Sequence, residues 1–188
     1  MNADTAHSLY DIKETEERIE KHTIVVLVDN EFGVLSRVIG LFSSRGYNID
    51  SLTVSEVSHE KHLSRITIIT HTSTPVIQQI MALLHRLVPV HEVRDLMVES
   101  PHIERGLALV KVIGTGESRV KAQQLADRFG ARTIDSTEES FIFELSDTPE
   151  KLDKFIELMR PHGLKEVART GVTAIARGAE GLNTEMSY

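Results

Sequence analysis

The chain contains no cysteine and no tryptophan. That excludes disulfides, thiolate metal ligands and a sulfur nucleophile. Aromatic residues are scarce, at 5% of 188 residues. Aliphatic side chains carry the apolar content instead, which suits helices packed on a sheet and argues against base-stacking platforms for single-stranded nucleic acid. Positive charge is in deficit: 21 Lys plus Arg stand against 28 Asp plus Glu, a formal net charge of -7. With no basic stripe, neither nucleic acid nor an anionic membrane is expected as a main partner. No apolar run approaches the roughly 20 residues of a membrane span. The amino terminus, MNADTAHSLYDIKETEERIEKH, is polar and acid-rich, unlike a signal peptide, so the expected location is cytoplasmic.

What is present is a repeated order of elements. Residues 1–21 read as an extension, with a helix over Ser8–Glu20 carrying Leu9, Ile12 and Ile19 as sparse apolar contacts. Thr23–Val28, TIVVLV, reads as a strand covered on both faces or placed at a subunit contact. Val34, Leu35, Val38, Ile39, Leu41 and Phe42 then recur at helical spacing, with Gly46 as an αL cap. Tyr47–Val57 and Ser64–His71 read as strands around the polar turn SHEKHL, Thr74-Pro75 opens a second helix, and VPVHEVRDLMV returns as a strand. This β-α-β-β-α-β order is the split βαβ unit of ferredoxin-like folds.

Residues 99–106, ESPHIERG, have the composition of a linker, where a cut near Ser100 is expected to lose few contacts. The order then repeats over 107–178: strand Leu107–Ile113, helix Ser118–Phe129 with Val120, Leu125, Ala126 and Phe129 inward, strands Ala131–Asp135 and Ser140–Leu145, a helix from Thr148-Pro149, and a last strand in Leu164–Ala176. Residues 179–188 form a tail. The expected fold class is α+β: two tandem ferredoxin-like βαββαβ sandwiches, over 22–98 and 107–178.

Catalytic equipment is hard to find. His59-x-x-His62 with His71 is the best metal candidate, yet it sits in a polar turn with no carboxylate at useful spacing. GTGESR at 114–119 follows a strand and opens a helix, but it lacks the third glycine of a dinucleotide loop and has no doubly wound sheet after it; a tight turn with Glu117 or Ser118 capping the helix is the favoured reading. Acid pairs such as Glu138/Glu139 fall on turns. No catalytic constellation is expected.

The stretch VDNEFGVLSRVIGLFSSRGYNID, Val28–Asp50, is different. A free amino acid presents a carboxylate and an ammonium, and both need partners once out of water. A helix start supplies unpaired N–H groups and a favourable partial charge for the carboxylate. Gly33 permits close backbone approach, and the amides of Asn30 and Asn48 can accept from the ammonium or donate to the carboxylate. The element order suggests that Asn30 and Asn48 converge at one end of the sheet. Plain capping and turn chemistry explains Asn30 at least as well.

DNEFGVLSRVIGLFSSRGYNIDSLTV resembles the amino-terminal ACT domain of the small, regulatory subunits of acetolactate synthase (acetohydroxyacid synthase), through Asn30, Gly33, Leu35, Arg37, the run Gly40-Leu41-Phe42, the run Arg45-Gly46-Tyr47-Asn48-Ile49, and Ser51, Leu52 and Val54. LSRITI at 63–68, LVPVHEVRDL at 87–96, ERGLALVKV at 104–112 and EVARTGVTAIARG at 166–178 are similar to later family segments, so the likeness spans about 22–178. It implies a non-catalytic subunit that activates a separate large catalytic subunit holding thiamine diphosphate, Mg and FAD, with no cofactor or metal in this chain. It also implies a homodimer through the ACT domains, with valine or another branched-chain amino acid bound between them as feedback inhibitor of branched-chain amino acid biosynthesis. By position the effector contacts would be Asn30, Gly33, Val34, Leu35 and Asn48, with Ser36 flanking. Asp29 stands where many members have Glu. Arg37 and Ser51 fit a core-edge or interface role as well as a ligand role. The alternative function is a free-standing amino-acid sensor of the ACT type acting on another enzyme.

Overall fold

The β-branched run EKHTIVVLVD forms the ten-residue strand β1 (Glu20–Asp29) in the computed structural model, which describes residues 18–99, 101–179 and 181–182. There follow α1 (Val34–Ser43), β2 (Ser51–Ser58), β3 (Leu63–Thr72), α2 (Thr74–Leu84) and β4 (Val90–Asp95). The four strands make an antiparallel sheet in the order β2-β3-β1-β4. Ile24, Val26 and Val28 alternate toward the helices and share a core with Val38 and Phe42 of α1 and Ile80 of α2. The helix expected over Ser8–Glu20 lies outside the described residues except at its end, where Glu20 begins β1.

A short helix α3 (Leu96–Glu99) leads to β5 (His102–Ile113), α4 (Gly116–Phe129), β6 (Arg132–Ser136), β7 (Ser140–Asp147) and α5 (Pro149–Met159). A 3₁₀ turn at Arg160–His162 precedes β8 (Leu164–Arg169) and β9 (Thr173–Ala176). The second sheet runs β6-β7-β5-β8, the same permutation as the first, with Phe143, Phe155 and Met159 at the centre of its core. The fold is therefore the expected pair of βαββαβ sandwiches.

Several local expectations are corrected. Residues 102–106, which compose like a linker, are the first half of β5, because His102–Arg105 find a ladder partner in β9, about seventy residues later. Leu164–Ala176 is two strands rather than one: the chain leaves the second sheet at Thr170-Gly171, where Thr170 N–H donates to Leu107 O at 2.9 Å, and β9 continues elsewhere. β4 stops at Asp95 and turns into α3. Val120 points to solvent, since α4 packs through the small Ala122 and Ala126. Ser118 does not cap α4; its Oγ donates to His162 O at 3.1 Å, so the GTGESR turn is closed by the 3₁₀ turn.

The far face of the first sheet, opposite its helices, is covered by the second half of the chain. Val25 of β1 packs with Leu96 and with Ala174 of β9. Glu104 of β5 accepts from Lys21 Nζ and Thr23 Oγ1, each at 2.5 Å. Arg65 donates to Ala174 O at 2.5 Å and Val172 N–H donates to Ser51 Oγ at 2.8 Å. β1 is thus covered on both faces by its own chain, and a cut near Ser100 would remove a whole covering layer.

Candidate ligand-binding site

β1 ends where Asn30 N–H donates to His62 O at 2.5 Å. The chain then needs a sharp reversal to start α1. Gly33 supplies it at the N-cap with φ +81, a left-handed conformation that costs glycine nothing. No side chain caps α1 and no acidic residue lies in its first turn. Val34 N–H makes a long bond to Glu31 O at 3.4 Å, and the N–H groups that follow it in the first turn, with the positive end of the dipole, face outward. Uncapped starts also occur at α2 and α4, whereas Thr148 caps α5. What sets α1 apart is that its first turn opens on an open cleft of about 480 Å³, walled by the whole stretch from Asn30 to Ser36, Glu31 and Phe32 included, with Val54 and Ser64 from β2 and β3.

Four of the five expected contacts, Asn30, Gly33, Val34 and Leu35, are thus brought together. The side-chain amide of Asn30 has no hydrogen-bond partner among the described residues. Arg37 lies outside the cleft wall and pairs at 2.8 Å with Glu31, which is part of that wall and whose carboxylate is neutralised by the pairing. Phe32 is fully exposed at the cleft wall, and Val54 and Val57 of β2 are exposed apolar residues. Among the described residues β2 pairs only with β3, which leaves its other edge without a strand partner.

Asn48 lies elsewhere, which corrects the expected convergence with Asn30. The two asparagines touch opposite ends of β3: Asn30 N–H bonds His62 O, while Asn48 O accepts from Thr70 Oγ1 at 2.7 Å. Eight residues of strand at ~3.3 Å each separate those partners by about 26 Å. The cause is topological. β1 and β2 both run antiparallel to β3, so α1 starts at one end of the sheet and delivers the chain to the other before β2 begins.

Around Asn48 the structure contains polar groups that local pattern did not single out. Asn48 Nδ2 donates to Asp50 Oδ1 at 2.5 Å, and the other carboxylate oxygen of Asp50 bonds His71 Nδ1 at 2.7 Å. These local bonds delay β2 to Ser51 although the alternation starts at Tyr47. Ser51 holds the seam through Val172 rather than a ligand. Asp29 Oδ1 is paired with His91 Nε2 at 2.6 Å.

Other candidate chemistry is dispersed. His59 and His62 meet edge to face at 6.1 Å between ring centroids, and His59 pairs with Glu56, whereas His71 lies at the opposite end of β3. Among the described residues no group of three or more His, Asp or Glu could hold a metal ion. A cleft of about 630 Å³ between α5 and β8 is edged by Arg160 and Arg169, already paired with Glu157 and Asp153. No described helix is long and apolar enough to cross a membrane.

Two ferredoxin-like sandwiches in tandem, the first presenting an uncapped helix start over a cleft at a free sheet edge, define a protein of the ACT-domain class. Residues 24–92 match the family described as the AHAS small subunit-like ACT domain, and residues 105–178 match the family described as the small subunit of acetolactate synthase. A probable acetolactate synthase small subunit of Archaeoglobus fulgidus is 42% identical over 158 residues, covering 84% of this chain and 98% of that one. The acetolactate synthase isozyme 3 small subunit of Salmonella typhimurium is 42% identical over 159 residues, covering 84% and 96%. The crystal structure of the acetolactate synthase small subunit from Thermotoga maritima superposes with a TM-score of 0.77 at 35% identity, covering 86% of this chain and all of that one. The chain belongs to the acetolactate synthase small-subunit family.

Proposed function

We propose that this chain is the regulatory, non-catalytic partner of an acetolactate synthase large subunit: it raises the activity of that subunit, and a branched-chain amino acid, chiefly valine, bound at the α1 cleft lowers it again. Thiamine diphosphate, Mg and FAD would then belong to the large subunit, in a cytoplasmic complex. The observation that carries the ligand reading is the α1 start, where Gly33 at φ +81 presents unpaired N–H groups to a cleft with a small apolar wall of Val34, Leu35 and Val54. A carboxylate suits the N–H groups, and a short aliphatic side chain suits the wall.

The site is completed by a second copy. Two β2 edges joined antiparallel about a two-fold axis extend the sheet and cover Val54 and Val57. That pairing brings the start of β2, with Asn48, of one protomer beside the end of β2, and hence the α1 cleft, of its partner. A zwitterion can then hold the helix start of one protomer by its carboxylate and Asn48 of the other by its ammonium. Inhibition becomes a coupling between two dimer geometries, one of which the amino acid prefers.

Acetolactate formation from pyruvate tests this with purified large subunit, with and without this chain and valine. The expected result is a higher rate with the chain, a valine-dependent fall of that rate, and no turnover by the chain alone. An unaltered rate on adding the chain, or turnover without large subunit, would contradict the proposal.

A further inference from the structure

Asn48 carries an amide whose two ends are opposite in character, and its surroundings decide which end a ligand meets. Its main chain is pinned, with the carbonyl accepting from Thr70 Oγ1 and the Asp50 N–H donating to Ile69 O at 2.8 Å. Its side chain faces Asp50 Oδ1 at 2.5 Å. A carboxylate only accepts hydrogen bonds, so the atom facing it must be the NH₂ group. The second oxygen of Asp50 is held by His71 Nδ1 at 2.7 Å, which keeps the carboxylate from turning away. The amide oxygen is left as the outward end, without a partner among the described residues, and with the Asp50 carboxylate on the amide's other side.

On the reading given under Proposed function, we propose that Asp50, steadied by His71, is a positioning and specificity residue: it locks the Asn48 amide with its oxygen outward and thereby makes this half of the site select an ammonium. An acceptor backed by a carboxylate favours a cationic donor over a neutral one and disfavours an anion. The two ends of the site then have fixed polarity, helix N–H groups for the carboxylate and the Asn48–Asp50 pair for the ammonium. Asp50 acts through Asn48 and does not touch the ligand. Loss of its charge lets the amide rotate, so either end can face outward.

The test is calorimetric titration of the full chain with L-valine and, separately, with 2-hydroxyisovalerate, which keeps the carboxylate and side chain but replaces the ammonium with a hydroxyl. The wild-type chain is expected to prefer valine. Asp50→Asn, isosteric at a side chain only 33% exposed, should weaken valine about tenfold, the scale of one charge-assisted hydrogen bond, while 2-hydroxyisovalerate changes by about twofold or less. His71→Ala should lower the preference in the same direction by a smaller factor. A merely structural role would weaken both ligands alike and preserve their ratio, and that result would overturn the proposal, as would unchanged valine affinity in Asp50→Asn. Failure of the wild-type chain to bind valine at all would instead remove the functional reading on which this rests.

Discussion

Gly33 is the residue on which the cleft depends most directly. Its φ of +81 disfavours any side chain, and an aspartate there would also set a carboxylate against the carboxylate of the ligand. Gly33→Asp should therefore weaken valine by ten- to hundredfold, about 1.5–3 kcal/mol, and leave activation of the large subunit largely intact; paired titrations of affinity and activation check both halves of that statement. Glu104 makes a pH-dependent contribution at the seam. Burial pushes its carboxyl up, but hydrogen bonds from Lys21 and Thr23, the Lys21 charge and His102 outweigh burial and hold it below its ordinary value of 4.5. A folded value below the unfolded one stabilises the fold fully above pH 4.5 and loses that contribution as pH falls through the depressed value. Acid unfolding of Glu104→Gln should accordingly show a shallower loss of stability below pH 4.5 than the wild-type chain. An equally steep acid limb would show that the Lys21–Thr23–Glu104 cluster does not couple to folding.

Among the elements, β9 and the turn before it tie the two sandwiches together. A Cβ added at Gly171 would lie 2.4 Å from Thr53 Oγ1 and 2.6 Å from Leu52 O, so only glycine lets the chain cross so close to β2. Gly171→Ala should force the seam apart at a cost of about 1–3 kcal/mol, read as a fall of several degrees in Tm with easier proteolysis near residues 100–106; an unchanged melting curve would mean that the two backbones can separate without loss. This seam was illegible in the sequence. HIER is too polar and TAIA too short to announce a ladder, and their pairing spans about seventy residues, beyond any local pattern. By contrast the helices and inner strands were legible, because Ile24–Val28 form an unbroken aliphatic run bounded by polar residues and Val34, Val38, Leu41 and Phe42 keep helical spacing. The candidate site was legible in its contiguous part, Asn30 to Leu35, where one turn carries every group. Its second part was not, since Asn48 depends on which end of the sheet α1 returns to, and element order alone does not state strand direction.

For the whole molecule, the separation of about 26 Å along β3 between the partners of Asn30 and Asn48 has a single consequence. One chain cannot bring both to one amino acid, so the proposed regulatory site requires two copies, each giving a helix start to one site and an Asn48–Asp50 pair to the other. The two lesions Gly33→Asp and Asn48→Ala then complement one another across a dimer. A hybrid of the two variants contains one site with both lesions and one site with neither. The most direct measurement is valine titration of each variant alone and of the two mixed after subunit exchange. Each variant alone should bind weakly. The mixture should regain wild-type affinity at about one quarter of its sites, since statistical exchange makes half of the dimers hybrid and each hybrid restores one site of two. Recovery of no tight sites in a mixture shown to contain hybrids would contradict the shared site and return ligand binding to groups within a single chain.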